Sequence, residues 1–111
     1  MIRSPTSTPP PPPPTIPPNV SLALEFGTLV ARLFPNMSMQ THHQMLAYSF
    51  REGLKGRSEP LGPQGLPDYE RQAAHLAWHL GKFIPTRFPP SPLDVLSSKT
   101  QEVNGFLAGL G

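Results

Sequence analysis

The sequence predicts an all-α protein: a small bundle of three to four short helices behind a disordered, proline-rich N-terminal head. Apolar residues recur at every third or fourth position in three separate segments, which is the spacing of one face of an α-helix. Proline, glycine or small polar residues stand at the ends of these segments, and no stretch alternates apolar and polar residues as a β-strand would. Most of the 17 prolines lie outside the periodic segments, so we expect the folded part of the chain to be small.

The prolines also suggest how the chain is divided. Residues 9–14 are all proline, and each proline fixes φ near the polyproline II value and lacks an N–H donor. We therefore expect residues 1–18 to form a disordered proline-rich head, 19–84 a helical interaction domain, and 85–111 a Pro-containing tail with one possible short helix. The head is interpreted chiefly as a stiff spacer. Residues 9–18 are also a possible ligand for a proline-recognition domain of the SH3, WW or profilin type.

The first helix is predicted to begin near Asn19 or Ser21, because either side chain can cap the exposed N–H groups of a helix start. Pro35 is expected to end it. Its apolar residues recur at helical spacing and form a single stripe: Leu22, Phe26, Leu29, Val30 and Leu33.

The second helix is predicted to start after Ser38 or Thr41, since Thr41 and Gln44 have the spacing of a capping box. Gly53 stands where a C-terminal cap is expected. Residues 55–67, rich in proline and glycine, are predicted to form a long loop. The buried face of this helix is expected to consist of Met45, Leu46, Phe50 and Leu54.

The third helix shows the clearest pattern, with Asp68 as its expected N-cap and Pro85 as its end. Beyond it, Ser91 and Pro92 could open a short helix through Leu96. The last ten residues, rich in glycine, are expected to fray. The apolar positions of the third helix are Tyr69, Ala73, Leu76, Leu80 and Phe83.

Composition narrows the class of function. The chain has no cysteine, which excludes disulfides, cysteine-ligated zinc and thiol catalysis. Its net charge of +2 comes from scattered residues, so a nucleic-acid partner is not expected. We find neither a membrane-spanning stretch nor a signal peptide, and we expect an intracellular, cytoplasmic protein. No serine stands in a nucleophile elbow and acidic residues are sparse, so neither an enzyme nor a cofactor is expected.

The histidines are the one set of side chains with metal-binding potential. His75 and His79 are four residues apart on the third predicted helix and therefore share a face, as in helical zinc sites. Leu76 stands where a metalloprotease helix would carry glutamate. His42 and His43 could add ligands if the second helix packs on the third. Because a closed zinc site needs about four ligands, we assign no metal ligand. A metal- or pH-responsive regulator remains a less favoured alternative.

The order of these segments resembles a known family. Residues 29–38 (LVARLFPNMS) lead to residues 45–54 (MLAYSFREGL) and then to a helix rich in alanine and leucine. This is similar to the C-terminal capsid region of gypsy-like long-terminal-repeat (LTR) retrotransposon Gag proteins. In that family a helix ends in an aromatic–Pro pair, a polar turn follows, and the next helix closes on Phe-x-x-Gly-Leu, matched here by residues 50–54. A third helix packs across it.

The resemblance extends over residues 21–83 and implies homotypic association through helical faces, with no catalytic or cofactor residues. No Cys-His zinc knuckle follows, so a truncated or host-adopted Gag-like protein is expected. The first hypothesis is a non-enzymatic interaction module that self-associates or docks on a related capsid protein. The second is an adaptor whose polyproline segment recruits a partner. The expected partner-binding residues are Phe50, Leu54, Tyr69, Leu76, Trp78 and Leu80.

Overall fold

The computed structural model of the chain describes residues 16–60, 67–90 and 95–111. These ranges contain four helices, which are α1 (Pro18–Leu33), α2 (Gln40–Leu54), α3 (Asp68–Arg87) and α4 (Val95–Leu110). The all-α prediction is confirmed, since the described ranges contain no strand. The predicted disordered head falls almost wholly in residues 1–15, outside the described residues, and Pro18 is already part of α1. None of the helices in the described ranges is both long and apolar enough to cross a bilayer.

The helices associate as two pairs, α1 with α4 and α2 with α3. Glycine stands at the crossing of each pair. A Cβ atom built on Gly27 of α1 would overlap the carbonyl oxygen of Phe106, and one built on Gly109 of α4 would overlap that of Leu24. The backbones of α1 and α4 are therefore in direct contact, an approach that only residues without a Cβ permit.

The second pair repeats this arrangement with its own glycines. A Cβ on Gly53 of α2 would overlap the carbonyl oxygen of Trp78, and a Cβ on Gly81 of α3 would overlap that of Phe50. The prediction that Gly53 caps α2 is wrong, because this glycine lies inside the helix at its crossing with α3.

The C-terminal end of α2 is instead a Schellman turn around Gly56. This glycine has a φ of +69°, in the left-handed region that glycine adopts without strain. Its N–H bonds the carbonyl of Gly53 at 3.0 Å, and the N–H of Arg57 bonds that of Glu52 at 3.0 Å. The predicted loop is confirmed for residues 55–60, while 61–66 lie outside the described residues.

The C-terminal part of the chain is helical, which differs from the prediction. The expected frayed end is a 16-residue helix, and Phe106 within it is completely buried. Gly105 and Gly109, which suggested flexibility, are the residues that let α4 approach α1 closely. The folded part therefore extends well past residue 84. The predicted helix start at Ser91 and Pro92 lies outside the described residues.

Two aromatic rings join the helix pairs at the centre. Phe50 of α2 stacks on Phe106 of α4 with 4.2 Å between ring centroids and an interplanar angle of 8°. Stacked rings of this kind contribute about 0.5–1.5 kcal/mol beyond the area they bury. Around them lies one cluster of buried apolar side chains: Ala23, Val30, Met37, Leu46, Leu54, Ala73, Ala77, Ile84 and Leu110.

A polar group is buried between α1 and α4. Glu102 is 5% exposed, and its Oε1 accepts hydrogen bonds from the side-chain amide of Asn19 at 3.1 Å and the Ser98 hydroxyl at 2.9 Å. Asn19 also donates to Ser98 Oγ at 3.1 Å. Asn19 was predicted to cap α1, but its side chain attaches the start of that helix to α4. Burial of a carboxyl group requires such partners.

The predicted side-chain caps are absent at the three described helix starts. The N-cap positions are Pro17, Met39 and Pro67, and none makes a side-chain cap hydrogen bond. Thr41 therefore lies inside α2. Asp68 is the first residue of α3, where its carboxylate accepts a 2.7 Å hydrogen bond from Arg71. The start of α1 is held by the Asn19 hydrogen bonds to α4, and most helix stability in proteins comes from packing of the helix along its length.

Pro85 does not end α3, which continues to Arg87. Proline in a helix removes one backbone hydrogen bond. Here the loss falls in the last turns, next to the completely buried Ile84. The carbonyl of Ile84 accepts the N–H of Phe88 at 2.7 Å, which closes the helix.

Replacing Gly81 by alanine is expected to destabilise the fold, although alanine favours an isolated helix by about 1 kcal/mol over glycine. The added methyl group would overlap the carbonyl oxygen of Phe50, and overpacking costs about 1–3 kcal/mol. Urea denaturation of Gly81→Ala measures the change. Gln72→Ala, at an exposed position of the same helix, should shift stability by less than about 0.5 kcal/mol. A more stable Gly81→Ala variant would contradict the close crossing.

Replacing Phe106 by alanine is expected to lower the free energy of unfolding by about 3–5 kcal/mol, because it removes a fully buried ring from between the helix pairs. Thermal denaturation followed by circular dichroism measures the loss. Asn104→Ala, an exposed change on the same helix, serves as control. Equal melting temperatures for the two variants would show that α4 is not part of the fold.

Candidate functional site

The predicted partner-binding residues do not form one surface. Phe50 is 0% exposed and Leu54 4%, and both belong to the core cluster between the helix pairs. The structure therefore corrects their placement: neither contacts a partner while the four helices remain packed. Their strong apolar periodicity reflects burial within the chain.

The predicted residues of α3 lie on two opposite sides of that helix. Tyr69, Leu76 and Leu80 are half-buried and share a side, since positions seven and eleven residues apart fall together on a helix. Trp78 lies about half a turn away from them. Tyr69 is held in place by Phe34, with 5.3 Å between ring centroids, and its hydroxyl oxygen accepts the N–H of Asn36 at 3.1 Å.

Helix α1 carries the most exposed apolar surface near these residues. The predicted apolar stripe of α1 coincides with its buried face only at Val30. Its buried residues are Ala23, Gly27 and Val30, whereas Leu29 is 40% and Leu33 55% exposed. The small residues are turned inward because only they allow the close approach to α4.

The large side chains of α1 continue onto α3. Phe26 contacts Phe83 edge to face, with 6.0 Å between ring centroids, and Phe83 is 49% exposed. We call Phe26, Leu29, Leu33 and Phe83 the α1/α3 face. The sequence placed these residues on the apolar stripes of two separate helices and did not reveal that they meet in one face. Ala23 and Gly27 are four residues apart and share a side of α1 that is rotated away from the stripe of large apolar residues. This pair of small residues is the signal that could have revealed the buried side of α1.

Two opposite charges border the α1/α3 face. Glu25 and Arg32 are both exposed and lie seven residues, or about two turns, apart on α1. Within the described part of the chain, neither has an ion-pair partner. An exposed apolar strip with charged residues at its rim is the composition of many protein–protein interfaces.

Trp78 attaches the loop after α2 to α3. Its indole Nε1–H donates to the carbonyl oxygen of Arg57 at 3.0 Å. The ammonium group of Lys82 lies 4.3 Å from the Trp78 ring centroid, within cation–π range. The side chain is partly buried, and its one polar group is already bonded within the chain.

The two histidines of α3 are in direct contact. His75 Nε2 and His79 Nε2 are 3.1 Å apart, and His75 Nδ1 lies 2.6 Å from the Glu59 carboxylate. His42 of α2 faces Glu70 instead, at 3.5 Å. In the described ranges, no group of three or more histidine, cysteine or acidic side chains is arranged to hold a metal ion, so neither His42 nor His43 joins the pair in such a group.

A shallow groove of about 270 Å³ lies between α2 and α4. The cations Arg51, Lys55 and Lys99 line it together with the apolar side chain of Val103, and none of its lining residues is acidic. The groove offers positive charge for an anion. It does not bring together the acid and base that a reaction would require.

We compared the chain with protein-family models, curated proteins and solved structures, and none of them matches it. The surfaces described above are therefore the basis for a functional assignment.

Proposed function

We propose that this protein is a non-enzymatic protein–protein interaction module that self-associates through the α1/α3 face. The observation that carries the proposal is the exposure of large apolar side chains along α1, next to the half-exposed Phe83 of α3. Contiguous apolar surface with a polar rim marks interaction sites on small proteins. Each square ångström of this surface removed from water contributes about 25 cal/mol.

The charges at the rim favour a second copy as the occupant. A two-fold axis packs a surface against itself, so that residue i contacts residue j and j contacts i. If two α1 helices pack antiparallel with the axis near Leu29, Glu25 of each copy comes opposite Arg32 of the other. The same strip then supplies both the apolar contact and two complementary ion pairs. The face is self-complementary in charge as well as in hydrophobicity.

The family resemblance is consistent with this proposal and extends it. Association through helical faces is what a Gag capsid-like protein would do, and a related capsid protein could dock on the same face. The chain has no cysteine, which suits a reducing, cytoplasmic environment. The polyproline alternative concerns residues 9–18, most of which lie outside the described ranges. Deleting residues 1–15 should leave self-association unchanged, whereas under the alternative it should abolish binding of a proline-recognition domain.

Changing Leu29 and Leu33 together to lysine is expected to abolish self-association, because the two charges would have to be buried in the contact. Sedimentation equilibrium over a range of protein concentrations measures the effect. Both side chains are already exposed and lysine is a good helix former, so the circular dichroism spectrum and melting should change little. Leu24→Lys, on the opposite side of α1 by helical periodicity, should associate like the unchanged chain. A strictly monomeric unchanged chain at high concentration would overturn the proposal.

A charge-reversal series tests the two-fold arrangement itself. Glu25→Arg should weaken association about tenfold, since two rim pairs change from attraction to repulsion at about 0.2–1 kcal/mol each. Glu25→Arg combined with Arg32→Glu restores complementarity and should return the dissociation constant to within about threefold of the original. High salt should reduce the effect of the single change. Failure of the double variant to recover would exclude the antiparallel contact while leaving the apolar face as the site of association.

A further inference from the structure

The histidine pair of α3 has the geometry of a metal chelate. His75 and His79 are one turn apart, with 3.1 Å between their Nε2 atoms. In zinc sites, imidazole nitrogens bind at about 2.0–2.1 Å, so two ligands of one ion are about 2.9 Å apart at a right angle and about 3.4 Å apart at the tetrahedral angle. The observed separation falls between these values. A metal ion could bridge the two nitrogens with only small adjustments of the side chains.

Glu59 fixes the tautomer that metal binding requires. An ionised carboxylate only accepts hydrogen bonds, so we assign the proton of His75 to Nδ1, which donates to Glu59 Oε1 at 2.6 Å. In the neutral ring, His75 Nε2 then carries the lone pair and accepts the His79 Nε2–H at 3.1 Å. Metal binding requires the His79 proton to be on Nδ1, which leaves both Nε2 lone pairs to the ion. Metal-bound histidines commonly donate their other N–H to a carboxylate in this way.

The loop after α2 places Glu59 beside His75. The Schellman turn at Gly56 reverses the chain, and the hydrogen bond from Trp78 to the Arg57 carbonyl holds the loop against α3. The His79 ring is packed edge to face on Trp78, with 4.9 Å between centroids. Glu59 lies in the loop, 16 positions before His75 of α3. Because the two residues are brought together only by folding, the sequence did not reveal their contact.

We propose that His75 and His79 chelate one divalent transition-metal ion of the zinc, nickel and copper group through their Nε2 atoms, with Glu59 orienting the His75 ring. Imidazole ligands suit these ions, whereas magnesium and calcium prefer oxygen. The chain supplies two ligands, in keeping with the absence of any larger ligand group among the described residues. The ion therefore keeps open positions for water or for a donor from another molecule. His75 is half exposed, so ions reach the pair from solvent.

Zinc titration of the full chain, without a polyhistidine tag, tests the site by calorimetry and thermal denaturation. We expect one zinc ion per chain and a melting temperature raised by several degrees at saturation, because zinc binds the folded state preferentially. Magnesium chloride at the same concentration should have no effect. His79→Ala, at an exposed helical position, should lose the temperature shift and at least tenfold in affinity. His43→Ala is the matched control and should retain both.

Glu59→Gln separates an oriented chelate from two histidines that merely lie close together. Loss of a carboxylate behind a metal-bound histidine weakens binding by about 10-fold to 100-fold, so this variant should fall between the unchanged chain and His79→Ala. Equal affinities for His79→Ala and His43→Ala would overturn the proposal, as would a chain that neither binds zinc nor changes its melting temperature. In either case the 3.1 Å contact is a hydrogen bond between two rings and nothing more.

Discussion

Direct backbone contact at two helix crossings is the constraint on which the rest of this structure depends. Gly27 and Gly109 face each other between α1 and α4. Gly53 and Gly81 each lie against the backbone of the other helix where α2 crosses α3. The large side chains must be accommodated around these contacts, because a helix presents only one side to its closest neighbour. The two helix pairs are joined by side chains instead, with the ring of Phe50 from one pair stacked on the ring of Phe106 from the other.

The position of the candidate interaction surface follows from this constraint. On α1 and α3 the sides with small residues are used for the close crossings, and the larger apolar side chains are displaced to the adjacent sides. On α1 this leaves Leu29 and Leu33 half exposed, beside Phe83 of α3. The exposed part of the predicted α1 stripe is thus the surface that we propose for contact with a second copy. Packing within the chain and the proposed association would both follow from the same distribution of residues.

The loop after α2 has a comparable positioning role on the other side of α3. Gly56 turns the chain, Trp78 bonds to the Arg57 carbonyl, and Glu59 meets His75. Sequence spacing alone placed His75 and His79 on one face, but it could not reveal the Glu59 carboxylate beside His75. Trp78, predicted to contact a partner, has its indole N–H bonded to the loop within the chain.

By itself, the sequence determined the helical class, the approximate extents of three helices, the burial of Leu46, Phe50 and Leu54 on α2, and the shared face of the two histidines. These are local properties, set by periodicity and by proline and glycine at segment ends. Only the tertiary structure decided which side of α1 is buried, that residues 95–110 form a packed helix, and that Phe50 and Leu54 are inaccessible to a partner. The reason is physical. Local helix propensity counts glycine as unfavourable, whereas here its missing Cβ permits contact with a distant backbone. Such a contact becomes visible only when both helices are in place.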